Sequence, residues 1–267
     1  MRWKCTVAYD GTDFAGWQSQ VGGNTVQDHI ERRLAFLFKG PVRIHGAGRT
    51  DAGVHATGQV FHFDGEWRHG AESLVEALRV GFPKSIQVIS AAEAAADFHA
   101  RFSATGKRYT YSFFEGFAPP LETRYRWSLG RRRLDDDTMN AAAARLLGRH
   151  DFSAFGANPR DNRTEDAVKD LRRLDISRDG PRVELVTEAS GYLYRMVRSL
   201  AGCLVDVGTG KLTPEDVAEI LAGRARTNRV VTAPPEGLCL RAVFYDGGVA
   251  RGASESVVPA RGRTDPA

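Results

Sequence analysis

The chain is poor in the residues that would commit it to most specialised classes. It has only three cysteines, Cys5, Cys203 and Cys239, far apart and without a C-x-x-C pair. An odd, dispersed set excludes a full disulfide framework and points to buried, reduced thiols. Its seven histidines show neither H-E-x-x-H nor Cys/His zinc spacing, so no metal is expected. No apolar run approaches the ~20 residues of a membrane span. The start, Met1 to Val7, enters a strand-like pattern directly, without the apolar segment of a signal peptide. A cytoplasmic protein without membrane contact is the expectation. Also missing are G-x-x-x-x-G-K-[ST], a G-x-G-x-x-G at a strand-to-helix turn, and a G-x-S-x-G elbow, which argues against a nucleotide cofactor and a serine hydrolase.

What is present fits an ordinary globular protein. With 267 residues, 42% hydrophobic and 26% charged, the chain suffices for one large domain or two small ones. The net charge of +4 is mildly basic. Local clusters say more: Arg131 to Arg133, Arg172-Arg173, and Arg224, Arg226 and Arg229. Each is suited to an RNA backbone or to a solvated, ion-paired face.

Periodicity predicts an alternation of strands and helices. Arg2 to Tyr9 reads as a strand with Trp3, Cys5 and Val7 on one face. Thr25 to Asp28 resembles a capping box, followed by Val26, Ile30, Leu34, Leu37 and Phe38 at helical spacing, with Gly40-Pro41 as the stop. Strands are predicted at Val42 to His45, Gln59 to Phe63, Ile86 to Ile89, Lys107 to Phe114 and Leu238 to Tyr245. Leu171 to Ile176 and Val183 to Ala189 read as a hairpin around Arg178-Asp179-Gly180. Further helices are predicted at Ala71 to Val80, Asp135 to Leu147 with Gly148 beyond it, Leu193 to Val205, and after Thr213-Pro214. There is no regular βα beat, which points to an α+β fold. From Gly247 onward large apolar residues nearly vanish, as expected of a flexible tail.

The segment with most chemical potential is Gly46-Ala47-Gly48-Arg49-Thr50-Asp51-Ala52-Gly53-Val54-His55-Ala56. Its glycines permit tight turns and close approach of a ligand. Arg49 beside Asp51 favours the ionised carboxylate. Such a group serves as a nucleophile, a base or a stabiliser of an oxocarbenium-like centre, and equally as half of a structural ion pair. In Lys107 to Phe113, alternation places Tyr109, Tyr111 and Phe113 on one face. That row suits core packing or, beside Arg101, Lys107 and Arg108, base stacking at an RNA cleft. Arg198 falls one turn after Tyr194 and off the apolar stripe of its predicted helix, as a surface residue or a partner for a carboxylate.

The Gly46 to Ala56 segment resembles the catalytic motif of the tRNA pseudouridine synthase A family. Four further stretches resemble the same family in the same order: Tyr9 to Gln18, Phe98 to Thr105, Tyr192 to Arg198, and Ala233 to Leu238. Leu200-Ala201-Gly202 departs slightly, where the family often has a β-branched residue before its glycine. Arg124 to Arg133 and the tail match no motif. The resemblance implies two ferredoxin-like halves forming a continuous mixed sheet with a central basic cleft. Residues 1–105 would carry the catalytic loop, 106–246 the second half and 247–267 the tail. It further implies a homodimer that grips one tRNA, modification of uridines 38, 39 and 40 in the anticodon stem-loop, and no cofactor.

On this reading Asp51 acts on the ribose, by attack at C1′ or by taking a proton from C2′. Arg49 and Arg198 orient it, and Arg49 alternatively fills the space of a flipped base. Tyr109 stacks on the uracil and relays the C5 proton, while Arg101, Lys107 and Arg108 assist substrate binding. A related enzyme acting on another RNA position is the nearest alternative. A non-catalytic RNA-binding protein would be expected to carry an aromatic-rich RNP1 pattern, which Lys107 to Phe113 does not match. A glycoside hydrolase would need a second acid at a set separation from Asp51, and none is obvious.

Overall fold

Strict alternation in β1 (Arg2–Tyr9) buries Trp3, Cys5, Val7 and Tyr9 on one face. The computed structural model describes residues 1–157 and 166–245, so the expected tail lies outside the described residues. β1 pairs antiparallel with β3 (His55–Asp64) and with β4 (Ile86–Ala94). Its buried face packs against α1 (Val26–Phe38) and α2 (Gly70–Arg79). In α1 the capping box forms as expected: Thr25 Oγ1 accepts from Asp28 N and Asp28 Oδ2 accepts from Thr25 N. Val26, Ile30 and Leu34 are fully buried, each stabilising the fold by about 1.5–3 kcal/mol relative to exposure. The helix ends one residue before the expected stop, with Lys39 in the left-handed region (φ 54°).

The second half begins with β5 (Gly106–Phe114), which is flanked by β6 (Trp127–Ser128). α3 (Asp136–Ala144) is shorter than expected, giving way to β7 (Gly148–Asp151). The predicted hairpin is longer than expected, running through β8 (Val168–Asp179) and β9 (Arg182–Ala189). α4 spans Met196–Gly208 and α5 Pro214–Gly223, and the chain returns through β10 (Leu238–Phe244). α4 therefore starts three residues later than its apolar pattern indicates, because Arg195 takes a left-handed conformation (φ 57°). Tyr194 lies before the helix and not one turn from Arg198 within it.

All strands join one mixed sheet, in the order β4-β1-β3-β10-β5-β9-β8-β7, with β2 (His45–Gly46) on β3 and β6 on β5. Within it two ferredoxin-like halves are readable. β1-α1-β2-β3-α2-β4 gives the order β4-β1-β3-β2, and β5-α3-β8-β9-α4-β10 gives β10-β5-β9-β8. The halves meet where β10 runs parallel to β3, over only two register pairs, His55↔Cys239 and Ala56↔Leu240. Farther along, the same edge of β3 is taken by β2 (His45↔His62, Gly46↔Phe61). β3 and β10 thus diverge as a fork. Gly58 permits the approach, since a Cβ there would collide with the Arg241 carbonyl.

All three thiols are free, with Cys5 and Cys203 buried and Cys239 partly so. Burial pushes Cys5 and Cys203 up to about 12. Among the described residues no helix is long and apolar enough to cross a membrane.

Candidate active site

The loop 47–54 leaves β2 and rejoins the sheet at His55, within the fork between β3 and β10. Register aligns Tyr9, Ala56, Leu240, Tyr109 and Thr187 across five neighbouring strands, so these side chains share a face. The loop is clamped over that face. Thr50 is buried, with Oγ1 2.8 Å from the Tyr9 hydroxyl, and its carbonyl accepts from Trp17 N at 3.0 Å. His55 fixes the exit. Its Nδ1 lies 3.0 Å from Gly11 N and 3.2 Å from Asp10 Oδ1, and its Nε2 lies near the carbonyls of Arg124 (2.9 Å) and Glu236 (3.2 Å). Beside it, Asp10 accepts from Thr12 and the Tyr125 hydroxyl. Burial pushes this carboxyl up, but those hydrogen bonds outweigh it and hold it below its ordinary range.

Asp51, 21% exposed at its side chain, is bridged to the other half of the molecule. Arg198 Nη1 on α4 donates to its Oδ2 at 2.6 Å, while Arg198 Nε donates to the Ala233 carbonyl at 2.7 Å. Arg195 Nε approaches the same carboxylate oxygen at 3.8 Å. The acid thus comes from the first half and its cationic partners from the second.

Tyr109 is buried, with its ring edge-on to Tyr192 at 5.2 Å. Burial raises its hydroxyl well above the ordinary tyrosine range, reinforced by the nearby Tyr9 and Asp51, so it stays protonated. Three tyrosines are buried among the described residues. Tyr9 is bonded to Thr50 and Tyr111 to the Pro234 carbonyl, whereas the Tyr109 hydroxyl has no hydrogen bond among the described residues. A proton donor beside Asp51, not used by the fold, is available to a ligand.

The other expected site residues divide by location. Lys107 shares the Tyr109 face by alternation, and its Nζ would lie 2.7 Å from a Cβ at Gly48, which places its ammonium beside the loop. Arg108 lies on the reverse face, paired with Glu188 at 2.6 Å and over the Phe244 ring. Arg101 is exposed, with its guanidinium over the Phe102 ring. Arg49 is exposed and pairs with no group among the described residues; Asp51 is oriented from α4 instead. The inward anchoring of Thr50 leaves Arg49 outside.

The arginine clusters are largely committed to intramolecular pairs. Arg133 bonds Glu115 at 3.2 Å, Arg172 bonds Asp170 at 2.8 Å, and Arg173 and Arg229 pair with Asp175 and Asp216. Arg132 lies over the Trp127 ring. Arg195 was not singled out by sequence reasoning, since an expected helix starting at Leu193 made it one more helical residue. The only signal was its place within the Tyr192 to Arg198 motif. Among the described residues no group of histidines, cysteines or acids is arranged to hold a metal.

A family model described as tRNA pseudouridine synthase matches residues 6–103 and 142–246. The chain is 46% identical over 254 residues to a tRNA pseudouridine synthase A of Solidesulfovibrio magneticus, covering 91% of each. It is 42% identical to one from Lysinibacillus sphaericus, covering 91% of this chain and 99% of the relative. One from Burkholderia multivorans is 43% identical over 92% of this chain and 90% of its own length.

Proposed function

Since the chain belongs to the tRNA pseudouridine synthase family, we propose that it isomerises uridines 38, 39 and 40 in the anticodon stem-loop of tRNA, with Asp51 as the catalytic carboxylate. The observation that carries the assignment of the acid is its setting. Asp51 is held by Arg198 across the two halves, above a strand whose Tyr109 hydroxyl the fold leaves unpaired.

Pseudouridine formation breaks the N1–C1′ bond, turns the uracil and rejoins it through C5. No electrons are gained or lost, so the reaction needs no redox partner. The site must stabilise positive charge developing at the ribose while retaining the freed base. Asp51 meets the first need, by attack at C1′ or by accepting the C2′ proton. Arg198 fixes its position. Tyr109 stacks on the uracil and relays the proton lost from C5, with its raised pKa keeping the hydroxyl protonated between steps. Arg49, unpaired at the loop surface, fills the gap left by the flipped base, which costs a few kcal/mol to extrude from a paired stem. Lys107, beside Gly48, contacts the substrate backbone. By resemblance the enzyme acts as a homodimer that grips one tRNA.

Incubating the protein with unmodified tRNA and mapping pseudouridines at single-nucleotide resolution tests the proposal. Pseudouridine at 38, 39 and 40 is the expected result. Product at other positions alone would reassign the target, and absence of product would remove the activity.

A further inference from the structure

Three guanidinium groups gather at the start of α4, two of them against one carboxylate. Arg198 and Arg195 approach Asp51 Oδ2 at 2.6 and 3.8 Å. Arg226 donates to Ser199 Oγ (2.8 Å), Thr232 Oγ1 (2.7 Å) and the carbonyls of Phe155 (3.3 Å) and Val230 (2.9 Å). Burial and then the charge of Arg195 push Arg226 below the ordinary arginine range, which marks the two as electrostatic neighbours. Among the described residues none of the three pairs with a second acid. The cluster carries more positive charge than Asp51 balances, so an incoming anion is favoured there.

The three are not equivalent. Arg198 is 11% exposed at its side chain and bonded to the Ala233 carbonyl, and Arg226 is held by four oxygens. Arg195 is 41% exposed at its side chain and, among the described residues, makes no hydrogen bond from its guanidinium, only the long approach to Asp51 and a stack 4.8 Å over the Tyr194 ring. Tyr194 is itself 39% exposed, and its hydroxyl makes no hydrogen bond among the described residues. The backbone at Arg195 is left-handed, which costs a non-glycine residue about 1–3 kcal/mol. A strained, exposed cation next to the reacting carboxylate contributes little to the fold that holds it.

We propose that Arg195 is a phosphate-binding residue for the substrate strand. When RNA enters, its guanidinium leaves Asp51 for a phosphodiester flanking the reacting uridine, and Tyr194 stacks on the adjoining base. A guanidinium forks onto two phosphate oxygens with charge-assisted hydrogen bonds, and an exposed tyrosine ring is a sequence-tolerant platform. Asp51 keeps Arg198 as its orienting partner throughout. This inference rests on the pseudouridine synthase reading above and assigns one of its substrate contacts.

The test uses the full-length enzyme and RNA stem-loops containing a uridine that the wild type converts. The phosphate on either side of that uridine is replaced in turn by an uncharged methylphosphonate. Wild-type affinity should fall roughly ten- to a hundredfold for one of the two RNAs. Arg195→Gln should lose a similar factor on unmodified RNA and become indifferent to the methylphosphonate. Its log–log salt slope should shrink by about 0.7 to 0.9. Arg195→Gly, which adopts the left-handed backbone without strain, serves as the second variant. It should melt no lower than wild type and show the same indifference. If both variants remain as sensitive to the methylphosphonates as wild type, or if wild type is sensitive to neither, the proposal is overturned. A wild type that converts no uridine in any tRNA overturns the underlying functional reading instead.

Discussion

The second strand of each ferredoxin-like half separates the two. In the C-terminal half it is β8, twelve residues long, with Leu171, Leu174 and Ile176 anchoring it to the core. In the N-terminal half it is β2, two residues long, after which the chain departs as the loop carrying Asp51. One architecture thus serves two ends. A full second strand completes the sheet, whereas a truncated one leaves an edge of β3 open. β10 enters that space from the other half, bringing β5 with Tyr109 beside the loop, and α4 supplies Arg198 across the junction. The site exists because one half is incomplete and the other fills the gap.

If the freed loop serves chemistry and not structure, Asp51→Asn should reduce turnover by about 10³-fold or more while leaving the unfolding midpoint and most RNA affinity unchanged. Single-turnover assays beside thermal melts check this, and turnover within tenfold of wild type would return the loop to a structural role. Tyr109→Phe tests the contribution of the second half. Loss of a proton relay should lower turnover by about 10²–10⁴-fold with little change in affinity. Tyr109→Ala should additionally weaken binding by about 1–3 kcal/mol through lost stacking. Full activity in both would leave Tyr109 as core packing.

The junction itself is testable through stability. A Cβ at Gly58 meets the Arg241 carbonyl, so Gly58→Ala should destabilise the fold by about 1–3 kcal/mol and lower activity per folded molecule as the fork is pushed open. Gly180, in the hairpin turn of the other half, has open space around its Cβ and only a positive φ (56°) against it. Gly180→Ala should cost about 1 kcal/mol and leave activity per folded molecule unchanged. Equal loss of activity in both variants would deny the fork its special place.

A further effect, confined to acid pH, concerns the strand beside β2. Burial, then the charges of His99 and His45, lower His62 to about 4. Unfolded, the same side chain titrates near the ordinary histidine value of about 6.5. Between those two values the unfolded chain binds the extra proton, so His62 makes stability fall as pH drops from about 6.5 to 4 and has no effect above that window. His62→Asn, which keeps an acceptor for the Ala100 N–H, should flatten this part of a melting-temperature profile. An unchanged profile would exclude His62 as its source.

Features written within a few residues were legible without the fold. The α1 capping box and the alternation of β1 depend on spacings of three and two residues and formed where their patterns placed them, and the hairpin turn formed at Gly180 but with Arg178 and Asp179 kept in the strand. The candidate acid was legible because its motif is contiguous. Other features depended on distant partners. The arginine clusters suited an RNA backbone or an ion-paired face equally, and only the positions of Glu115, Asp170, Asp175 and Asp216 decided for pairing at Arg133, Arg172, Arg173 and Arg229. The start of α4 followed its apolar stripe until the left-handed Arg195 moved it. Of the two arginines expected to orient Asp51, Arg198, 147 positions away, meets the carboxylate, whereas the neighbouring Arg49 does not. The amino-acid order determined which segments curl, extend or turn, since those energies arise between neighbours along the chain. The fork between β3 and β10, and with it the approach of Arg195 to Asp51, was decided only by tertiary structure, because a two-residue strand exposes an edge that a distant strand must cover.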